Sequence, residues 1–144
     1  MNNMISVNKE KLEGIILSKT DYKENSEKIT IITNEGLSTL IVRGSKKIDS
    51  KLRSLTQSFS YVSLIITNNH VINTVCEGTV IENFTKIKDD PSKTFIGMII
   101  SETLYHFTTS IVDFNLLFNL YLKSLRLLND SIYPESIISL FHLK

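Results

Sequence analysis

Ile41-Val-Arg-Gly-Ser-Lys-Lys-Ile-Asp-Ser-Lys-Leu-Arg-Ser-Leu-Thr-Gln-Ser-Phe-Ser-Tyr61 carries Arg43, Lys46, Lys47, Lys51 and Arg53 between two apolar, strand-like runs. Only Asp49 opposes these five cations. The stretch therefore has a net charge of +4, whereas the whole 144-residue chain is only +1. The charge is concentrated rather than high. A basic loop held between two strands is how a small β-barrel presents cations to a phosphate backbone. The competing reading is a solvated loop whose charges simply face water.

Upstream, the pattern is that of strands and turns. Lys11 to Thr20 is a β-rich run, and Asp21 to Ser26 is a polar turn. Glu27 to Thr33 has β-branched residues at five of seven positions, which suits a pleated surface. Asn34-Glu-Gly36 reads as a hairpin turn, and Leu37 to Arg43 as a third strand. Downstream of the basic loop, Ser58 to Thr67 sets Phe59 and Tyr61 in alternation with serines. Asn68-Asn-His70 is a turn, and Val71 to Phe84 is a last strand, bent at Gly78. Five short strands in about 80 residues predict a closed or nearly closed Greek-key barrel.

The period changes at Pro91. Asp90-Pro-Ser92 starts a helix, because Asp caps and Pro fits the first turn. Phe95, Met98, Ile99, Ile100, Leu104, Tyr105 and Phe107 then recur at helical spacings. Asp113 opens a second helix, striped by Phe114, Leu117, Phe118, Tyr121, Leu122, Leu125 and Leu128. Pro134 starts a third, which meets Lys144 while still apolar, as in a shortened chain. The expected organisation is α+β, with a barrel over 1–88 and a small helical domain over 89–144. The helical stripe reads first as core. It is broad enough for a second reading as a partner groove, or as a face left open by a missing C-terminal region.

Composition bounds the rest. The chain is long enough for one average domain or two small ones. No apolar run reaches the roughly 18 residues of a membrane span, and the first residues lack a signal-peptide pattern, so a cytoplasmic location is expected. The single Cys76 makes neither an internal disulfide nor a zinc site. Asp21, Glu24 and Glu27 lack calcium-loop spacing, and a solvated hairpin turn is the plainer reading. His70, His106 and His142 are scattered, and His106 on its helix reads as structural. No arrangement suggests an enzyme, a metal or a cofactor. Phe59 and Tyr61, two apart, are expected on one sheet face in the core. Tyr22, in the polar turn, is the candidate for stacking on an unpaired base.

Several of these pieces occur in a characteristic order. Glu13-Gly-Ile-Ile-Leu17, Asp21-Tyr22 and Glu24-Asn-Ser-Glu-Lys-Ile29 are followed by Thr33 and Glu35-Gly-Leu37. Val42-Arg-Gly-Ser-Lys-Lys47, Ser50-Lys-Leu-Arg53 and Leu55-Thr-Gln-Ser-Phe59 complete the set. Over residues 11–90 this order resembles the N-terminal part of the RecO recombination-repair family. The helices match only by type.

The resemblance implies an OB-fold barrel followed by a helical domain. It also implies binding of single- and double-stranded DNA, annealing of strands coated with single-strand-binding protein, and help in loading RecA together with RecR. Many family members carry a four-cysteine zinc insertion, which this sequence, with Cys76 alone, does not have. The expected function is a non-enzymatic DNA-binding and strand-annealing mediator using Arg43, Lys46, Lys47, Lys51 and Arg53. The alternative is a protein-interaction module that docks the acidic tail of single-strand-binding protein, or RecR, without binding DNA. A third reading is a reduced protein that dimerises through its helical stripe.

Overall fold

Isoleucine, valine and threonine crowd the first half of the chain, and there they extend. The computed structural model describes residues 8–47, 50–68, 72–110 and 113–131. Among the described residues the strands are β1 (Asn8–Tyr22), β2 (Ser26–Thr33), β3 (Gly36–Val42), β4 (Tyr61–Asn68) and β5 (Asn73–Glu82). The helices are α1 (Thr85–Asp89), α2 (Pro91–Phe107) and α3 (Phe114–Asp130). The chain divides into two compact units. One contains residues 8–32 and 37–82, the other residues 33–36 and 83–131. The third helix expected after Pro134 lies outside the described residues.

The strands close in the order β1-β2-β3-β5-β4, with β3 and β5 parallel. This is OB-fold topology, as expected from the sequence. Closure depends on β1, which is much longer than a short barrel strand. Its first half pairs with β4 from Asn8 opposite Asn68 to Ile15 opposite Tyr61. Its second half pairs with β2 from Ile15 opposite Ile32 to Tyr22 opposite Ser26. The ladder shifts register between Ile16 and Ser18, so Leu17 is the extra residue of a bulge. Gly14 lies where the two pairings change over. A Cβ there would stand 2.4 Å from the Ile32 carbonyl oxygen and 2.7 Å from Ile31 Cγ1. Only glycine lets β2 come this close.

Inside the ring, Ile16, Ile29, Ile31, Leu40, Val42, Val62, Leu64, Ile66 and Val75 form one buried cluster. Each large aliphatic side chain contributes about 1.5–3 kcal/mol by leaving water. Leu55 joins them from a 3-10 turn at Arg53–Thr56, inside the stretch read as the basic loop. β5 has two register irregularities against β4, at Cys76 and at Ile81. Gly78 sits between them, opposite Leu64 in register. Phe59 and Tyr61 do not share a sheet face. Phe59 precedes β4 with φ at 73° and is buried, whereas Tyr61 opens β4 and is half-buried. Pairing with Ile16 imposes that turn: Phe59 N–H donates to the Ile16 carbonyl, and Ile16 N–H donates to the Ser60 carbonyl, both at 3.0 Å.

In the helical unit, Asp90 caps α2 by accepting from Ser92 N–H, and Asp113 caps α3 by accepting from Leu116 N–H. The α3 stripe buries Leu117, Phe118, Tyr121, Leu122, Leu125 and Leu128, as its period predicts. On α2 the buried face is Ile96, Ile100 and Leu104, while Phe95, Met98, Tyr105 and Phe107 are exposed. His106 is exposed as well. Tyr121 is fully buried and shares a hydrogen bond with Ser101; burial pushes its phenol far above the usual range. Asn129 joins three segments. Its side chain accepts from Ile87 N–H at 3.2 Å, and its carbonyl accepts from the buried Lys93 ammonium at 3.0 Å. The Lys93 charge thus lies at the negative end of the α3 dipole. No described helix is long and apolar enough to cross a membrane.

Gly14→Ala is expected to cost about 2–4 kcal/mol, because the clash is with backbone that cannot rotate away. Urea unfolding should show a lower midpoint at unchanged slope. A variant as stable as the parent would mean that β2 draws back from β1 without loss.

Candidate nucleic-acid interface

The basic loop leaves β3 at Arg43 and turns at once. Gly44 takes φ +74°, a conformation open to it for lack of a Cβ. Three successive residues, Gly44, Ser45 and Lys46, then tie the start of the loop to Ser26, Glu27 and Asn25, where the β1–β2 turn enters β2. Gly44 N–H donates to Ser26 Oγ at 3.4 Å, and Lys46 N–H donates to the Asn25 carbonyl at 3.2 Å. The buried Ser45 hydroxyl lies 2.9 Å from Glu27 Oε1 and 3.2 Å from the Val42 carbonyl, either of which can accept its proton. The loop is therefore held at fixed points on the barrel.

The acidic turn is the solvated hairpin expected from the sequence at Asp21, Lys23, Glu24 and Asn25, but Glu27 at its end is buried. Asp21 Oδ1 pairs with Lys46 Nζ at 3.1 Å, and Glu27 Oε2 pairs with Lys19 Nζ at 3.5 Å. The two carboxylates differ in setting: the Asp21 side chain is 76% exposed and that of Glu27 only 10%. Between the turn and the loop lies a depression of about 230 Å³, lined by Lys19, Glu27, Ser45, Lys46, Arg53, Thr56 and Gln57. Three cations face one buried carboxylate there.

Of the five cations singled out in the sequence, Lys46 and Arg53 line this depression, brought together by the 3-10 turn. Arg43, Lys47 and Lys51 are exposed along the same loop but do not line it. Asp49 lies outside the described residues. Lys19 was missed, being remote from the charge cluster in sequence. The hairpin register could have revealed it. With Lys19 opposite Ile29, Glu27 is its diagonal neighbour across the strands. Tyr22 ends β1 half-buried, with Lys23 Nζ 5.4 Å from its ring centroid, so a cation already lies over one face of the candidate stacking ring. Among the described residues, no group of three or more His, Cys, Asp or Glu side chains is placed to hold a metal ion.

A closed OB-fold ring with a pinned cationic loop, followed by helices, defines a class of small barrel proteins. Comparison with known proteins narrows the class. The family described as "Recombination protein O N terminal" matches residues 4–84. The DNA repair protein RecO of Bacillus pumilus is 33% identical over 135 residues, which is 93% of this chain and 53% of that protein. RecO of Bacillus subtilis is 30% identical over the same shares, and RecO of Listeria monocytogenes is 30% identical over 94% of this chain and 53% of its own length. The chain belongs to the RecO family. It spans about half the length of the curated relatives it matches.

Ser45→Ala should destabilise the barrel by about 1–3 kcal/mol, because the buried Glu27 carboxylate loses a hydroxyl donor. Equilibrium urea unfolding of the variant checks this. An unchanged midpoint would mean that water or Lys19 replaces the hydroxyl fully.

Proposed function

We propose that this chain is a RecO-like mediator of recombinational DNA repair that acts by binding, without catalysis, in the cytoplasm. The reading is carried by one observation in a member of this family: a concentrated cationic loop fastened to the barrel, with Lys46 and Arg53 converging on one depression. Such a surface binds the sugar-phosphate backbone with little regard to sequence, because every nucleotide carries the same charge. Single- and double-stranded DNA are both substrates in this reading. Annealing follows from the same physics: two strands approach when their mutual repulsion is screened, and a cationic patch does this without chemistry. The partners are single-strand-binding protein, RecR and, indirectly, RecA.

One observation favours a second reading. Lys46 already holds a carboxylate, that of Asp21, so the patch also suits an acidic protein tail. In that reading the chain is an interaction module for single-strand-binding protein or RecR.

The test is fluorescence anisotropy with a labelled single-stranded oligonucleotide at several salt concentrations. Replacing Lys46, Lys47, Lys51 and Arg53 together by Ala should weaken binding at least tenfold. It should also flatten the logarithmic salt dependence by up to about 2.8, at roughly 0.7 per lost single-strand contact. Binding by the quadruple variant equal to that of the parent would remove the loop from the interface. Tight binding of an acidic peptide with no DNA binding would favour the second reading.

A further inference from the structure

We propose that the depression between Lys19, Lys46 and Arg53 seats a single backbone phosphate of the bound nucleic acid, and that Asp21 holds Lys46 there until the phosphate displaces it. The proposal rests on the nucleic-acid reading above. It adds Lys19, a residue of β1, to the binding surface, and it assigns the acidic turn a part in binding.

The chemistry of the lining selects an anion. The Thr56 hydroxyl donates to the Arg53 carbonyl at 3.0 Å, and the Gln57 amide donates to the same oxygen at 3.2 Å. The Ser45 hydroxyl proton is taken up by Glu27 or Val42. Three neutral groups thus hydrogen-bond within the barrel, and the charged side chains of the lining are three cations, Lys19, Lys46 and Arg53, against one carboxylate, Glu27. The exposed Lys47 and Lys51 follow on the same loop, so a polymer with repeated phosphates gains contacts that a lone anion does not.

The two carboxylates play different parts because their settings differ. Glu27 is buried and within reach of both the Ser45 hydroxyl and Lys19, so it stays and positions Lys19. Asp21 is largely in water, where an ion pair is worth little and exchanges readily. A phosphate at Lys46 replaces one anion by another. No desolvated charge is left behind, because Asp21 returns to solvent.

The experiment is anisotropy with the same oligonucleotide on the parent, Lys19→Ala, Asp21→Asn and Glu10→Gln. Glu10 is an exposed acid on the β4-paired half of β1, and its variant makes the same change in net charge. Lys19→Ala should weaken binding severalfold and flatten the salt dependence by about 0.7. Asp21→Asn should tighten binding about two- to fivefold, the range of a surface ion pair, and Glu10→Gln clearly less. Binding by folded Lys19→Ala equal to that of the parent overturns the seat. Asp21→Asn no tighter than Glu10→Gln overturns the displacement, and it does so even if Lys19→Ala fails to fold. A glutamate-rich peptide that displaces the oligonucleotide at equal concentration reassigns the depression to a protein tail. If the parent binds no oligonucleotide at low salt, the underlying reading falls, and the seat with it. If the quadruple variant loses binding while Lys19→Ala and Asp21→Asn do not change it, the reading stands and this inference alone fails.

Discussion

One strand serves two neighbours. β1 must pair with β4 along its first half and with β2 along its second, and the changeover occupies only the few residues around Ile15. Two local features permit it. Gly14 removes the Cβ that would strike the Ile32 carbonyl, and the Leu17 bulge re-aims the strand beyond it. The consequences run through the barrel. Ile16 hydrogen-bonds to Phe59 and Ser60, which forces the positive φ of Phe59 and sets where β4 begins. The second half of β1, once turned, carries Lys19 and Asp21 to the exit of β3. A bend in the first strand thus determines which side chains meet the loop after the third.

Burial divides the charges at that meeting point. Glu27 and Ser45 form a low-dielectric pair, where a hydrogen bond to a charged group is strong and its loss costly. The Lys46–Asp21 pair lies in water, where Coulomb attraction is screened and side-chain entropy opposes it. The first kind of contact fixes the backbone of the loop. The second leaves its side chains exchangeable.

Much of the fold was legible in the sequence because its signals are local. The β-branched runs, the Asn34-Glu-Gly36 turn and the α3 stripe each occupy one short window, and each gave the element found. The cations from Arg43 to Arg53 were legible for the same reason. What was hidden is non-local or below the length of a period. The double duty of β1 is set by partners dozens of residues away. α1, with five residues, is too short to show a helical repeat. On α2 the apolar residues go nearly all round, so the period alone did not say that Ile96 faces inward and Phe95 outward; packing decided it. Lys19, and the meeting of the acidic turn with the basic loop, required the hairpin register and the path of the chain after β3.

Asn129 bears on how the molecule is made. Its side chain and carbonyl add to the hydrogen bonding of Ile87 on α1 and Lys93 on α2, the two preceding helices. A chain leaving the ribosome emerges from its N-terminus, so β5 is out well before Asn129. Until then, Ile87 N–H has only the Phe84 carbonyl, at 3.1 Å, the Lys93 ammonium lacks the Asn129 carbonyl, and the apolar face of α2 lacks α3 to cover it. The nascent barrel has all its strands while the helical unit is still waiting for the last turn of α3.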